Sequence, residues 1–178
     1  MDSPLWVLAA VGIMGGYDTI VFHERVARLA SQPAAWRELR LHAAREVVYL
    51  VLFSTLAWFA PHGWIAAALA IALAAEIVIT AFDFIVEWDT RKLPRGERAL
   101  HAIIAIAYGA FLALLAPRLA MWFRLPTGLT PVSHGVLSWF LSLLALGVAI
   151  WAVRDASAAR YLRMIESRPE LRPSLERF

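Results

Sequence analysis

The chain has 178 residues, of which 61% are hydrophobic and only 17% are charged. This composition is too apolar for a soluble domain of that length and is typical of an integral membrane protein. The chain contains no cysteine, which excludes disulfides, thiolate metal sites and iron–sulfur clusters. Any bound metal would therefore have to use histidine and carboxylate ligands.

Five apolar stretches approach the roughly 20 residues that an α-helix needs to cross a bilayer. They cover residues 5–23, 41–60, 64–88, 99–123 and 134–153. The predicted fold is an all-α integral membrane protein with five transmembrane helices in residues 1–153. The first stretch has no basic residues before it, so we expect it to be retained and not cleaved as a signal peptide. Residues 154–178 mix arginine and glutamate with apolar residues and are predicted to form a basic amphipathic tail.

The basic residues lie almost entirely on one side of the predicted membrane. Of the 17 arginine and lysine residues, only Arg118 and Arg124 fall on the opposite side. Because basic residues tend to stay in the cytoplasm, the N-terminus is predicted outside and the C-terminus inside, in a bacterial inner membrane. The basic residues that give the net charge of +3 are then explained by the orientation of the chain in the membrane and by attraction to anionic lipid. They are not interpreted as a nucleic-acid binding site.

A pattern of glutamate, histidine and tyrosine occurs twice, 59 residues apart, with the spacing Glu-x3-His-x6-Tyr. The residues are Glu38, His42 and Tyr49 in the second helix and Glu97, His101 and Tyr108 in the fourth. The pattern indicates two parallel repeats, residues 1–60 and 64–123, whose helices 1–2 and 3–4 form a pseudo-twofold four-helix bundle. The extra helix, 134–153, would complete the bundle. The alternative is that two membrane helices merely begin with similar capping residues.

Polar side chains recur along one face of the third helix. Glu76, Thr80, Asp83 and Glu87 follow the spacing i, i+4, i+7, i+11, which keeps them on a single helical face. The first helix has a matching stripe that ends at His23, where the third helix has Glu87. An ionised carboxylate at the bilayer centre costs roughly 2.5–3.5 kcal/mol, so this face should point into the bundle and have partners.

The glutamate and histidine of each repeat are four residues apart, so each pair can present two ligands to one point. With neighbouring polar residues they form a candidate metal site near the cytoplasmic ends of the helices. The candidate ligands are His23, Glu24, Glu38, His42, Glu46, Glu87, Glu97 and His101. Such ligands suit two iron ions best, with manganese or zinc as alternatives. Asp18 lies off this face and is interpreted as a hydrogen-bonding group within its helix. A network of salt bridges with nearby arginines is the competing interpretation of the whole site.

Four further residues lie deeper in the membrane and are candidate catalytic residues. Tyr49 and Tyr108 follow the histidines by one to two helical turns, where a tyrosine could donate a proton or an electron to an oxygen-activating metal. Glu76 and Asp83 are interpreted as a proton route or as the lining of an acyl or quinone cavity. The tyrosines could equally form an aromatic packing pair at the pseudo-twofold axis.

In the design of this site the chain resembles the ferritin-like di-iron carboxylate proteins, including the membrane-associated alternative oxidases. In that family too, two helices supply glutamate and histidine from a shared motif and two others supply single ligands. The family spaces its motif as Glu-x2-His, whereas three residues separate Glu38 from His42 and Glu97 from His101. The resemblance implies a pair of iron ions and oxidoreductase chemistry.

These observations predict a membrane-embedded metalloenzyme, a di-iron-type oxidoreductase that acts on a lipid-like or quinone substrate near the cytoplasmic leaflet. One alternative is electron transfer through haem b or quinone, with His42 and His101 as axial ligands, although haem needs none of the carboxylates. Another is proton- or metal-coupled transport, for which five helices would have to assemble as a homo-oligomer. A subunit of a larger membrane complex would have the same sequence features.

Overall fold

The structure, a computed structural model, describes residues 3–167. These residues form five α-helices and one two-stranded antiparallel ladder. The helices are α1 (Ser3–Asp18), α2 (Trp36–Trp58), α3 (Trp64–Thr90), α4 (Arg95–Phe123) and α5 (Val136–Ser167), and the strands are β1 (Phe59–His62) and β2 (Gly128–Pro131). A π-helical segment, Thr19–Ala27, continues α1, and two turns of 3-10 helix, Leu29–Ser31 and Pro33–Ala35, lead into α2. The predicted helical class is therefore confirmed.

Four helical segments are long and apolar enough to cross a membrane. They cover Ser3–Ser31, Trp64–Thr90, Arg95–Phe123 and Val136–Ser167. The remaining helix, α2, has 23 residues, which is sufficient length, but charged residues are frequent in its first half. Four of the five predicted spans are thus supported, and crossing of the membrane by α2 stays a prediction.

The surface is more apolar than that of a soluble protein, and several ionisable groups are buried beside the apolar core. Large apolar side chains point outwards along the helices, and Ile71, Ile106 and Val153 are each at least 70% exposed. In contrast, the carboxylates of Glu38 and Glu97 are completely buried. This distribution is expected of a helical bundle whose apolar exterior faces lipid and whose ionisable groups face inwards.

The packing of the helices brings the first turns of α2 and α4 together. Helix α2 packs extensively against α5 and also against α3, whereas α1 packs against α4. At one end of the bundle β1 pairs with β2, with Phe59 opposite Pro131. At the other end Glu38 in α2 and Glu97 in α4 both contact Arg91. Helices α2 and α4 therefore run in the same direction.

Proline and glycine set the ends of several helices. Pro94 immediately precedes α4, and Pro33 begins the turn that leads into α2, as suits a residue with a fixed φ and no N–H donor. Gly63 separates β1 from α3 with a φ of 56°, and a Cβ at this position would collide with Thr127. Glycine is therefore required at this tight turn.

Helix α5 is longer than the sequence predicted. The fifth span was expected to end at residue 153, whereas α5 continues without a break to Ser167. Its extension packs against the segment before α2, because Ala159 and Leu162 are buried together with Leu29 and Leu39. The first part of the predicted tail is thus continuous with α5, and its remainder, 168–178, lies outside the described residues.

Candidate metal centre

Eight ionisable side chains converge at the end of the bundle where α2 and α4 begin. We call this group the acid–histidine cluster. It consists of Asp18, His23, Glu38, His42, Asp83, Glu87, Glu97 and His101. All except His101 are at most 3% exposed, and the side chain of His101 is 12% exposed. The cluster therefore lies inside the bundle and draws on α1 with its π-helical extension, α2, α3 and α4.

Two overlapping sets of side chains within the cluster could each hold a metal ion. One set is Asp18, His23, Glu97 and His101, and the other is His23, Glu38, His42 and Glu87. Within each set the ligand atoms all lie within 4.8 Å of one another. His23 belongs to both sets, so the two sets are adjacent, and its imidazole could bind an ion in one set or the other. Six of the eight ligands predicted from the sequence are found in these sets.

Several ligand atoms in the two sets have no hydrogen-bond partner within residues 3–167. They are Asp18 Oδ1, His23 Nε2 and His42 Nε2. His23 Nε2 lies 3.3 Å from Asp18 Oδ2 and 3.5 Å from Glu97 Oε1, so acceptors are close but not in hydrogen-bonding geometry. Leaving buried polar atoms unpaired destabilises a protein, and a metal ion bound in either set would give such atoms a partner. The residues present therefore fit a metal.

The π-helical segment explains why Asp18 joins His23. In an α-helix, residues five apart point about 140° away from each other, and Asp18 was therefore not predicted as a ligand. In a π-helix the hydrogen bonds run from residue i to i+5, which brings such residues one above the other. The π-helix begins at Thr19, directly after Asp18, and places the aspartate beside His23.

Each repeat histidine pairs with an aspartate from the other repeat. His101 Nε2 lies 3.0 Å from Asp18 Oδ2, and His42 Nε2 lies 3.3 Å from Asp83 Oδ2. Asp18 precedes His23 by five residues in the π-helical segment, and Asp83 precedes Glu87 by four residues in α3. Each spacing is about one turn, and His23 and Glu87 are the last residues of the two polar stripes. This correspondence is the signal in the sequence that could have identified Asp18.

Arg91 is a cation at the centre of the buried carboxylates. Its guanidinium donates hydrogen bonds of 2.6–3.3 Å to Glu38, Glu87 and Glu97. Burial would lower the pKa of Arg91, but the hydrogen bonds to Glu97 and Glu38 outweigh it and raise this pKa above its ordinary value. Arg91 therefore stays charged, and part of the predicted salt-bridge network accompanies the ligand sets.

A second charged group joins the cluster to α2 and α5. Arg45 donates a 3.0 Å hydrogen bond to Asp83, and His42 Nδ1 lies 3.8 Å from Asp155 Oδ2. Asp155 is only 2% exposed. Its role beside His42 was not predicted, because the fifth helix was expected to end two residues earlier. At 3.8 Å the Asp155 carboxylate lies near the second imidazole nitrogen of His42 but beyond hydrogen-bonding distance.

Two predicted ligands, Glu24 and Glu46, lie outside both sets. Glu24 forms an ion pair with Arg154 of α5. Glu46 lines a cavity next to the cluster, and its buried Oε2 has no hydrogen-bond partner in the described part of the chain. Both residues were grouped with the ligands because of their depth along the helix, although they point in other directions.

A cavity of about 430 Å³ adjoins the cluster and is lined by residues of all five helices. Asp18 and His101 form part of its wall, so the cavity reaches one of the two ligand sets. Apolar side chains such as Phe53, Leu112 and Leu144 line other parts of it. The cavity thus connects a candidate metal site with an apolar space inside the bundle.

Three of the four candidate catalytic residues line this cavity. Tyr49 and Thr80 donate hydrogen bonds of 3.3 and 2.9 Å to Glu76 Oε1. The ring of Tyr108 lies edge-on to that of Tyr49, with centroids 6.1 Å apart. Asp83, the fourth candidate, instead belongs to the acid–histidine cluster.

No protein-family model, no curated protein sequence and no solved structure matches this chain. The likeness to ferritin-like di-iron proteins therefore rests on the design of the site.

Proposed function

We propose that this chain is a membrane-embedded metalloenzyme, a di-iron-type oxidoreductase that acts on a lipid-like or quinone substrate. The observation that supports this most is the pair of ligand sets that share His23 beside a cavity in the bundle. Metal sites in helical bundles are built from inward-facing side chains of several helices in this way. Because Asp18 and His101 belong both to a ligand set and to the cavity wall, a bound ion would lie near a substrate in the cavity.

The chemistry of the ligands favours iron or manganese. The two sets contain three histidines and four carboxylates, and the chain has no cysteine. Mixed imidazole and carboxylate ligands suit both metals, and carboxylates can bridge a pair of ions. Haem b is disfavoured, because haem iron takes axial ligands and has no need of four surrounding carboxylates.

The charge of the cluster also favours bound cations. Within residues 3–167, its five carboxylates contact two arginines, Arg45 and Arg91. Without metal, charge balance would require protons on the histidines or on the carboxylates. The rings of His23 and His42 are stacked, with centroids 4.5 Å apart and planes inclined by 8°, and two imidazolium ions in this arrangement would repel each other. Divalent cations remove the need for such a pair.

The residues of the chain would position the ions and the protons of the reaction. Two iron ions, when bound, would supply oxygen binding and electron transfer. Asp155 Oδ2, 3.8 Å from His42 Nδ1, would have to move closer to orient the ring by a hydrogen bond, and an ion at Nε2 would replace the contact of this nitrogen with Asp83. The hydrogen bond from Tyr49 allows Glu76 to receive or return a proton at the phenolic oxygen. The apolar walls of the cavity would exclude water.

The proposal includes the predicted topology: five spans, an outside N-terminus, a cytoplasmic C-terminus and a pseudo-twofold axis. In support, α1 packs against α4 as α3 packs against α2, which is what one axis between the repeats would produce. The ring contact of Tyr49 with Tyr108, which occupy equivalent positions, is also consistent with that axis. Most basic residues would then face the cytoplasm at the end of the bundle with the cluster.

The metal content of the protein tests this function. The chain is purified in detergent without chelators, and iron, manganese and zinc are quantified together with the visible spectrum. We expect about two iron or manganese ions per chain and no Soret band. His42→Ala or His101→Ala should lower the metal content, whereas the matched substitution His62→Ala in β1, outside the cluster, should not.

Activity is tested by oxygen consumption with decylubiquinol as the reductant. The metal-loaded protein should consume oxygen, and the His42→Ala variant should not. A folded wild-type protein that binds none of the three metals would refute the proposal. A strong Soret band would support haem instead, and ion flux in liposomes without oxygen consumption would support transport.

A further inference from the structure

Glycine residues open the cavity beside the acid–histidine cluster. Five glycines within helices line it, namely Gly12, Gly15, Gly16, Gly109 and Gly147. Glycine weakens a helix relative to alanine, and in membranes it is commonly retained because it lets helices approach closely. That reason applies to Gly12, but a Cβ at any of the other four would meet no atom of a neighbouring element within 4 Å. These four glycines preserve space.

One wall of this space has a buried acceptor without a donor. Glu46 Oε2 makes no hydrogen bond within the described residues, and Glu46 belongs to neither ligand set. Glu76, in contrast, already accepts hydrogen bonds from Tyr49 and Thr80. Because buried polar atoms are normally paired, Glu46 Oε2 is suited to accept a hydrogen bond from a bound molecule.

The charges on the cavity wall exclude anions. Asp18, Glu46 and Glu76 line the cavity, together with two basic side chains, Arg45 and His101, and His101 Nε2 lies 3.0 Å from Asp18 Oδ2. The guanidinium of Arg45 is already hydrogen-bonded to Asp83. In a medium of low dielectric, a carboxylate or phosphate head group would be repelled by the remaining acidic groups. A neutral molecule that donates a hydrogen bond fits this wall.

The cavity reaches the side of the bundle between α3 and α4. Ile77 and Phe84 of α3 line the cavity and are also 49% and 39% exposed. Opposite them, Ala105 and Gly109 of α4 line the cavity and are exposed too. Both helices are apolar enough to span a membrane, so a molecule entering here would come from the bilayer.

We propose that the cavity binds a lipophilic alcohol or phenol, which enters between α3 and α4 and donates its hydroxyl hydrogen to Glu46. The volume of about 430 Å³ lies within the range of roughly 300–1,000 Å³ that is common for small-molecule sites. This inference rests on the proposed function in one respect, since the bound molecule is the substrate of the metal centre. A long-chain alcohol and a quinol share the chemistry that Glu46 recognises.

Binding of tritiated 1-dodecanol to the immobilised, detergent-purified protein tests the site by scintillation proximity. Unlabelled 1-dodecanol and 4-octylphenol should both displace the label. The competitor that displaces it at the lower concentration shows whether the site prefers an alcohol or a phenol. Dodecanoate, which is anionic, and methyl dodecyl ether, which has no donor, should each displace it at least about tenfold less well.

Substitutions test the open space of the cavity and the hydrogen-bond acceptor Glu46 separately. Gly109→Leu should fill the entrance and reduce binding of dodecanol by about tenfold or more, whereas Ala110→Leu, an exposed neighbour outside the cavity wall, should not. Gly147→Leu repeats the test from α5. Glu46→Leu should abolish the preference for dodecanol over the ether, and Glu46→Gln, which keeps an acceptor oxygen, should retain it.

Metal content is measured on the same samples. Equal displacement by dodecanoate, or unchanged binding to both glycine variants, would overturn the proposed site. A protein that holds metal but does not bind dodecanol would overturn the site while leaving the metalloenzyme proposal intact. A metal-free protein with the expected selectivity would overturn the metalloenzyme proposal and keep the binding site.

Discussion

Arg91 should control the stability of the metal-free protein. It contacts Glu38, Glu87 and Glu97, none of which is more than 1% exposed. Removing one partner of a buried ion pair typically destabilises a protein by about 3–5 kcal/mol. Because three carboxylates share this one guanidinium, we expect Arg91→Leu to reduce the free energy of unfolding by about 5 kcal/mol when no metal is bound. That loss is a large part of the roughly 5–15 kcal/mol that stabilises most proteins.

The assay is thermal unfolding in detergent, followed by tryptophan fluorescence with either EDTA or Mn²⁺ present. In EDTA the Arg91→Leu variant should unfold at a much lower temperature than the wild type. Mn²⁺ should restore part of the difference, because a bound cation neutralises the same carboxylates. A ligand at 100 times its Kd stabilises the folded state by about 2.7 kcal/mol. The shift caused by Mn²⁺ should therefore be larger in the variant, whose site is more negative.

Two controls separate charge from packing. Arg98→Leu removes an exposed arginine from the first turn of α4 and should leave the unfolding temperature nearly unchanged. Adding Glu97→Gln to Arg91→Leu should recover part of the lost stability, because it removes one of the uncompensated charges. An Arg91→Leu variant that unfolds with the wild type in EDTA would show that the three carboxylates do not hold the charge assigned to them.

Two further predictions concern individual members of the site. His23→Ala should lower the metal content more than His42→Ala does, because His23 belongs to both ligand sets and His42 to one; equal metal content in these two variants would contradict the shared ligand. Glu24→Gln should leave the metal content unchanged and alter the free energy of unfolding by less than about 1 kcal/mol, because its partner Arg154 is partly exposed. Loss of metal in Glu24→Gln would instead show that Glu24 is a ligand, as the sequence predicts.

The sequence contains most of the information about the helices. Hydrophobic runs of bilayer length predict α3 and α4 within a few residues, because a proline or a glycine marks where each helix begins. The repeat predicts the paired candidate ligands of α2 and α4, since a spacing of four residues keeps glutamate and histidine on one face. These features are local, and local geometry can be deduced from spacing alone.

Features that depend on helix irregularity or on packing could not be deduced in this way. Asp18 needs the π-helical segment to reach His23, and Asp155 needs α5 to continue past the end of its apolar run. Glu24 directly follows His23, but adjacent residues on a helix differ by about 100° in direction. Glu46 lies one turn beyond His42, yet it faces the cavity and not the ligand sets.

The distribution of the ligands links metal binding to assembly of the whole bundle. One set takes Asp18 and His23 from the first repeat and Glu97 and His101 from the second, and the other takes His23, Glu38 and His42 from the first and Glu87 from the second. Neither repeat alone supplies all four side chains of a set, so each complete set forms only when the two helical pairs pack together. Metal affinity is then part of the free energy of tertiary packing and not of individual helices. A duplication that produced two parallel hairpins would in this way give one shared centre at their interface.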